Sequence, residues 1–166
     1  MGWKVKLLIA FTVISTLLTV AAFFQAGDFL LRYEGNDVVC NQSLWQHVYS
    51  SDRLEVIEQC IKVTGTIKKI VKTGDGDLHV MVQLDDEYES LLNDVNKEQL
   101  DSLLVVEPIC EYKPKFDSAA NACEGAAAVD VPPQGSHVTI IGSYVLDKSH
   151  GWMEIHPASE IQADQS

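Results

Sequence analysis

Arginine is nearly absent from this sequence of 166 residues, in which only Arg32 and Arg53 occur. Lysine and arginine together number 12, against 24 aspartates and glutamates. All the acidic residues follow an apolar run near the N-terminus, so the part beyond that run has 10 basic and 24 acidic residues and a net charge of about −14. Such a charge opposes duplex nucleic acid, which proteins bind by placing Lys and Arg against phosphates. It favours solubility, and it attracts cations or a basic partner.

The apolar run extends from Leu7 to Phe24 without a charge, about the length that a helix needs to cross the hydrocarbon layer of a membrane. Two lysines precede the run and no lysine or arginine follows it until Arg32, so the positive-inside rule places the N-terminus in the cytoplasm. Residues 20–22 would also serve a signal peptidase. We therefore predict a transmembrane or signal helix in residues 1–26. It would hold the protein at the cell membrane with its domain on the extracytoplasmic side, or release it as a secreted protein after cleavage.

The four cysteines all follow the apolar run, and an even number in an oxidising compartment predicts two disulfides. Of the three possible connectivities we favour Cys40 with Cys60 and Cys110 with Cys123, because each pair closes a short excursion between regular elements. The second loop would contribute roughly 3 kcal/mol. No pair has the Cys-x-x-Cys spacing of a structural zinc site, which disfavours zinc at the cysteines. Asn41 begins an Asn-Gln-Ser sequence that matches the glycosylation acceptor pattern.

The chain beyond the apolar run divides into a juxtamembrane spacer (27–39), one domain of ordinary size (40–162) and a short tail (163–166). Residues 43–54 place apolar side chains at helical spacing after a serine that can cap the first turn, which predicts a short N-terminal helix. Alternating or apolar runs bounded by turn residues predict five strands, at 60–72, 78–84, 103–110, 136–146 and 152–161. An acidic connection with some helix joins the second strand to the third, and a long alanine-rich segment joins the third to the fourth.

The order and lengths of these strands describe a mainly β protein, a five-stranded Greek-key barrel of the oligonucleotide- and oligosaccharide-binding (OB) type. The long first strand carries Gly65, which would let it bend around the barrel. Three blocks resemble recurring segments of small exported OB-fold proteins of archaea and bacteria: LWQHVYSSDRLEVIEQCIKVTG, GDGDLHVMVQLD and GSYVLDKSHGWMEIHP. The resemblance covers most of residues 40 to 161. It implies an OB fold and an extracytoplasmic location, but it brings no established reaction.

The candidate ligand face comes from two turns that an OB barrel brings to the same end, between the first two strands and between the last two. This arrangement would place Asp75, Asp77 and His79 near the segment HGWMEIHP, which begins at His150. Alternation assigns the apolar residues of these strands to the core, so the polar ones between them should face away from it. The predicted ligand-binding residues are His79, Lys148, His150, Trp152, Glu154 and His156. Trp152 would stack on a ligand and the others would supply polar contacts.

A metal site is an alternative use of the same residues. His79, Glu154 and His156 offer imidazole and carboxylate ligands, which suit zinc or copper. His150 and His156 would lie about 20 Å apart on an extended strand, so one ion cannot bind both. A purely structural interpretation also stays open, in which the histidines hydrogen-bond loop backbones or line the strand surface, and Trp152 covers the mouth of the barrel.

The sequence favours a binding role over catalysis. Secreted nucleases with this fold use arginines with carboxylates and calcium, but both arginines precede the predicted barrel. Ser136, Ser143 and Ser149 lie in no nucleophile motif, and oxidised cysteines cannot act as nucleophiles. We therefore predict a non-catalytic binding module, an interaction or accessory subunit of a membrane protein complex. The alternatives are a zinc- or copper-binding protein and an oligonucleotide- or oligosaccharide-binding or nuclease-like OB protein.

Overall fold

A computed structural model describes residues 38–164 of the chain. The predicted membrane or signal helix (1–26), nearly all of the predicted spacer and the last two residues of the tail lie outside the described residues. No helix within residues 38–164 combines the length and the apolar character that a membrane span requires.

Five strands and several short helices make up the described region. The strands are β1 Leu54–Lys72, β2 Leu78–Leu84, β3 Leu104–Val106, β4 His137–Asp147 and β5 Met153–Ala163. The helices are three 3₁₀ helices, Gln42–His47, Ser51–Arg53 and Asp86–Leu91, and two α-helices, α1 Asp94–Gln99 and α2 Asp117–Ala122. The prediction of a mainly β protein with five strands is confirmed. The predicted N-terminal helix is instead two 3₁₀ helices, and β1 begins six residues earlier than the predicted strand.

The five strands close into a ring in the order β1, β2, β3, β5, β4. All neighbouring strands are antiparallel except β3 and β5, which are parallel. β1 pairs with both β2 and β4, and Gly65 is opposite Leu84 on one side and Val138 on the other. A Cβ atom at Gly65 would lie 2.4 Å from the Gln83 carbonyl oxygen, so only glycine allows this close approach.

Two groups of apolar side chains lie on opposite sides of the sheet. The inner core contains fully buried aliphatic residues from all five strands, among them Ile67, Val80, Leu104, Ile140 and Ile155. The outer cluster contains Leu44, Val48, Leu54, Ile109 and Val145. The segment before β1 and the residues after β3 therefore pack over part of the outer face of the sheet.

Both disulfides have the predicted connectivity, Cys40 with Cys60 and Cys110 with Cys123. The first fastens the segment before β1 to the strand itself. The second fastens the end of α2 to the residues that follow β3. Each bond thus holds one of the segments that cover the outer face.

Candidate functional site

The segment HGWMEIHP forms the turn between β4 and β5 and the first part of β5. Glu154 is directly opposite Val145 in the β4–β5 ladder, and Val145 belongs to the outer cluster, so Glu154 lies on the outer face as alternation predicts. Glu154 and His156 are nevertheless 0% exposed. The expectation that both would belong to an open ligand face is therefore wrong, because other parts of the chain cover this region.

His156 is held by two buried carboxylates. Its Nδ1 lies 2.8 Å from Glu107 Oε2 and 3.1 Å from Glu154 Oε1. Burial by itself disfavours the charged ring, but the Glu107 carboxylate and the hydrogen bonds outweigh it and raise the pKa of His156 to about 10. The other oxygen of Glu107 lies 2.9 Å from His79 Nε2. Glu107 therefore connects His79 at the start of β2 to His156 in β5.

The two carboxylates that share His156 differ in acidity. Burial tends to raise the pKa of Glu107, yet the positive charge and hydrogen bond of His156 hold that pKa well below its usual range. Burial raises the pKa of Glu154, and the nearby charge of Glu107 adds to this effect. Glu107 is therefore the ionised partner of the imidazolium, and Glu154 is the carboxylate of the pair that protonates more readily.

Arg53 adds a second cation to the same region. Its Nη1 lies 2.7 Å from Asp147 Oδ2 and 3.5 Å from Glu154 Oε1, and its Nη2 lies 3.8 Å from Glu107 Oε2. The sequence interpretation set this arginine aside because it precedes the barrel, and the structure corrects that view. Leu54 pairs with Asp147 at the end of β4, which carries the preceding Arg53 into the cluster. We call Arg53, Glu107, Asp147, Glu154 and His156 the buried charge network.

The residues of HGWMEIHP connect the network to the surface. His150 Nδ1 lies 2.7 Å from Asp147 Oδ2, and the His150 ring stacks on Trp152 with centroids 4.1 Å apart. Trp152 Nε1 donates a hydrogen bond of 2.7 Å to Glu154 Oε2. The Trp152 ring also meets the His79 ring edge-on at 6.2 Å. We call His79, His150 and Trp152, which are all partly exposed, the aromatic surface.

The structure brings together five of the six predicted ligand residues, because Trp152 contacts His79, His150 and Glu154, and Glu154 contacts His156. Lys148 is exposed, and its backbone N–H donates to the Arg53 carbonyl. Its side chain makes no hydrogen bond or ion pair within residues 38–164. Asn41 is exposed and caps the first 3₁₀ helix by accepting from the Ser43 backbone N–H, and its glycosylation stays a prediction.

Helix α1 positions the start of β5. The Asn96 side chain is fully buried, accepts a hydrogen bond from the Met153 N–H and donates one to the Met153 carbonyl. Asn93 caps α1 and donates from its side-chain amide to the Gly151 carbonyl. These contacts fix the backbone on both sides of Trp152. The aromatic surface is therefore held from behind by a helix cap as well as by the buried charge network.

Asp77 lies beside the network and is 3% exposed. Its Oδ1 accepts a hydrogen bond of 2.7 Å from the Cys110 N–H, and burial raises its pKa to about 6. Asp77, Glu107 and His156 each offer one ligand atom within 4.8 Å of the other two. Of the predicted metal ligands His79, Glu154 and His156, this group contains only His156, and metal binding stays a prediction.

Sequence reasoning did not identify Arg53 or Glu107 as site residues. Glu107 has one local signal, since it is the single charged residue in the apolar run LLVVEPIC. Pro108 follows it and ends the strand pattern, because proline has no N–H to donate. Arg53 has no such signal, because its partners lie more than 50 residues away in the chain. Comparisons with known proteins add no assignment, since no family, no curated protein and no solved structure matches this chain.

Proposed function

We propose that the protein is a membrane-anchored or secreted, extracytoplasmic OB-fold binding module without catalytic activity, and that it serves as an interaction or accessory subunit. The OB assignment is supported by the closed strand order β1, β2, β3, β5, β4, with a long β1 that pairs with both of its neighbours. The two disulfides are typical of an oxidising compartment, which supports an extracytoplasmic location.

The aromatic surface is the observation that carries this proposal. It lies where the β1–β2 and β4–β5 turns meet, and in an OB fold those turns flank the ligand face. Trp152 is anchored through Nε1 to Glu154 and stacked on His150, so it offers a flat ring with little freedom left to lose on binding. A partner with an exposed ring or apolar face, such as a protein side chain or a saccharide, suits this surface.

The contacts of Arg53 argue against the nuclease-like alternative. A phosphoryl group would need a guanidinium that is free to bind it. The guanidinium of Arg53 is already placed against Asp147, Glu154 and Glu107. Removing it would leave buried carboxylates without their counter-charge, which is costly. The strongly acidic composition also opposes a polyanionic substrate.

The hydrogen bonds of the network disfavour a metal site on His79, Glu154 and His156. His79 Nε2 is bonded to Glu107, and His156 Nδ1 is bonded to Glu154. Hydrogen bonds therefore join the three side chains in a row in which Glu107 lies between His79 and His156, rather than directing them at one common point.

Affinity capture from detergent-solubilised membranes tests the binding role. The full-length protein should retain a partner, and Trp152→Ala should lose it. Phe116→Ala is a matched control, because Phe116 is an exposed aromatic residue outside the aromatic surface. Equal capture by wild type and Trp152→Ala, or loss of capture in the Phe116→Ala control alone, would contradict a ligand face at Trp152.

A further inference from the structure

The second half of β5 has a hydrogen-bonded neighbour on one side only. From Ala158 to Ala163 this strand pairs with β4, whereas β3 pairs with β5 only near the start of the strand. On the β3 side the last backbone bond is from the Ala158 N–H to the Glu107 carbonyl. No strand within residues 38–164 pairs with that side further along β5. This edge of the sheet is therefore open from Ser159 to Ala163.

The β4–β5 ladder determines which backbone groups face the open edge. The Asp164 N–H donates to the His137 carbonyl in β4. Alternate residues of an antiparallel strand direct their N–H and C=O groups to opposite sides, so Gln162 shares the direction of Asp164. Ile161 and Ala163 therefore direct their backbone groups away from β4, where no backbone group of residues 38–164 bonds them. They are donors and acceptors that another chain can use.

A groove of about 840 Å³ lies along this edge, between β5 and residues 128–133. Pro132 and Pro133 in the second wall have no N–H to donate. Within residues 38–164, no backbone hydrogen bond joins this wall to β5. Val129 packs against the inner core, and its N–H donates to Glu111 Oε1. The wall is thus fixed in place without pairing with the strand. We call this space the β5 groove.

The β5 groove is lined by apolar and acidic side chains. Ile161 and Val131 are aliphatic, and Asp130 and Glu160 have carboxylates. The lining residues, which all lie within 38–164, include no lysine, arginine or histidine. Asp130 is exposed, Glu160 is partly exposed, and neither forms an ion pair with the described residues. Charge complementarity therefore favours a partner that brings positive charge to this edge.

We propose that the β5 groove binds an extended segment of a partner protein in which basic and apolar residues alternate. The segment joins the open edge as a further strand, and the N–H and C=O groups of Ile161 and Ala163 are its hydrogen-bond partners. Glu160 and Ile161 are adjacent in β5 and lie on opposite faces, and Ile161 belongs to the inner core. An alternating segment matches this arrangement, with basic side chains on the face of Glu160 and apolar ones on the face of Ile161.

The charge of the chain disfavours a second copy of it as the occupant. The net charge is −12, and the groove itself is acidic. The groove also lies at the far end of β5 from Trp152. The proposal therefore does not depend on the ligand face at the aromatic surface.

Binding of synthetic peptides to the full-length protein in detergent tests the charge requirement. By fluorescence anisotropy, a labelled hexapeptide of alternating lysine and valine should bind, and one of alternating glutamate and valine should not. Glu160→Gln should weaken binding of the lysine peptide about 2- to 5-fold, the scale of one exposed ion pair. Glu98→Gln is the matched control, because Glu98 is exposed on α1, and it should leave the affinity unchanged. Trp152→Ala should also bind the peptide as the wild type does.

Ala163→Pro tests the strand pairing. Proline removes the N–H that faces the open edge, leaves the bonds to β4 in place and is tolerated in edge strands. The affinity for the lysine peptide should fall about 3- to 10-fold, as expected for one hydrogen bond. Two N-methylated peptides give a readout that does not depend on folding of the variant, one methylated on its lysines and the other on its valines. Because a strand pairs with one edge through alternate N–H groups, one of the two should bind more weakly than the other.

Several results would overturn the proposal. They are no binding of the lysine peptide, equal binding of the glutamate peptide, and equal affinities of the two methylated peptides. Loss of peptide binding in Trp152→Ala would place the peptide on the aromatic surface instead. Self-association of the wild type that Ala163→Pro abolishes would identify a second copy as the occupant.

Discussion

Two histidines in this protein each bind two carboxylates, and they lie at opposite ends of the same strands. His156 is near the start of β5 and is 0% exposed, whereas His137 begins β4 and its side chain is 44% exposed. His137 places Nδ1 2.6 Å from Asp164 and Nε2 3.1 Å from Asp85, so each ring nitrogen has its own partner. His156 has both carboxylates on one nitrogen and none on the other.

The difference shows how burial changes what a histidine bonded to two carboxylates contributes to stability. At His137 water competes with every charge, and exposed ion pairs contribute between about 0 and 1 kcal/mol. At His156 water is excluded, so the loss of one partner leaves a buried charge that water cannot stabilise in its place. The fully partnered cluster needs no further ligand. The incompletely partnered one keeps a buried ring nitrogen, His156 Nε2, without a hydrogen bond within residues 38–164.

The largest expected effect is from Glu107→Ala, which removes the carboxylate shared by His79 and His156. We expect a loss of about 3–5 kcal/mol in the free energy of unfolding, because the His156 charge stays buried with a weaker partner. Urea denaturation with intact disulfides measures this loss. Asp85→Ala, the equivalent change at His137, should lose less than about 1 kcal/mol. Similar losses in the two variants would refute the contrast between the clusters.

Arg53→Met should have the next largest effect, since the buried charge network contains a guanidinium that the His137 cluster lacks. We expect a loss of about 3 kcal/mol, because the carboxylates of Asp147 and Glu154 lose their shared cation. Arg53→Lys keeps the charge but not the forked geometry, so it should lie between wild type and Arg53→Met. Equilibrium unfolding followed by circular dichroism gives the ranking. A stability of Arg53→Met equal to that of wild type would mean that the network does not depend on its arginine.

A smaller effect is the pH dependence of stability that comes from the exposed cluster of His137, Asp85 and Asp164. The hydrogen bonds that His137 donates to Asp85 and Asp164 raise the pKa of His137, and those that Asp85 accepts from Thr64 and His137 lower the pKa of Asp85. The folded protein therefore binds the His137 proton more tightly than the unfolded chain, whose histidine pKa is about 6.5. The stabilisation by His137 is complete below that pH and is lost as the pH rises through the higher pKa of the folded state.

The comparison of wild type with His137→Gln checks this sign. The wild type should be more stable than the variant at low pH, and the difference should shrink as the medium becomes alkaline. Nuclear magnetic resonance of the His137 ring gives its pKa directly. A wild-type advantage that grows with pH would show that the cluster acts in the opposite sense.

The smallest expected effect is that of salt. At about 1 M ionic strength the screening length falls to about 3 Å, so the pKa of the exposed His137 should move towards its ordinary value. The contribution of Glu107 to stability should stay nearly constant, because ions do not enter the buried charge network. Unfolding of wild type, Glu107→Ala and His137→Gln in low and high salt measures how the contributions of Glu107 and His137 to stability change with salt. Equal salt sensitivity of the two variants would contradict the difference in burial.

Much of the fold could be predicted from local patterns. The alternation in LHVMVQL gives β2 with the observed bounds Leu78–Leu84, and the spacing of the cysteines gives both disulfides. β3 is shorter than predicted, because the regular ladder with β2 ends at Val106, although the Leu78 N–H of β2 still donates to the Pro108 carbonyl. Glu107 still bonds β5, since its N–H donates to the Ile155 carbonyl. An apolar run gives the approximate place of a strand, but the partners available to its backbone determine where the strand ends.

The sequence by itself determined which side chains of β5 share a face, since alternation is a property of a single strand. It could not determine that the face carrying Glu154 and His156 is covered, because the covering groups come from the residues before β1 and after β3. Arg53 and Glu107 joined those side chains through pairings between distant parts of the chain. Alternation is local, whereas burial depends on every segment that packs nearby. Only the tertiary structure could therefore separate a partly exposed aromatic surface from the buried charge network beneath it.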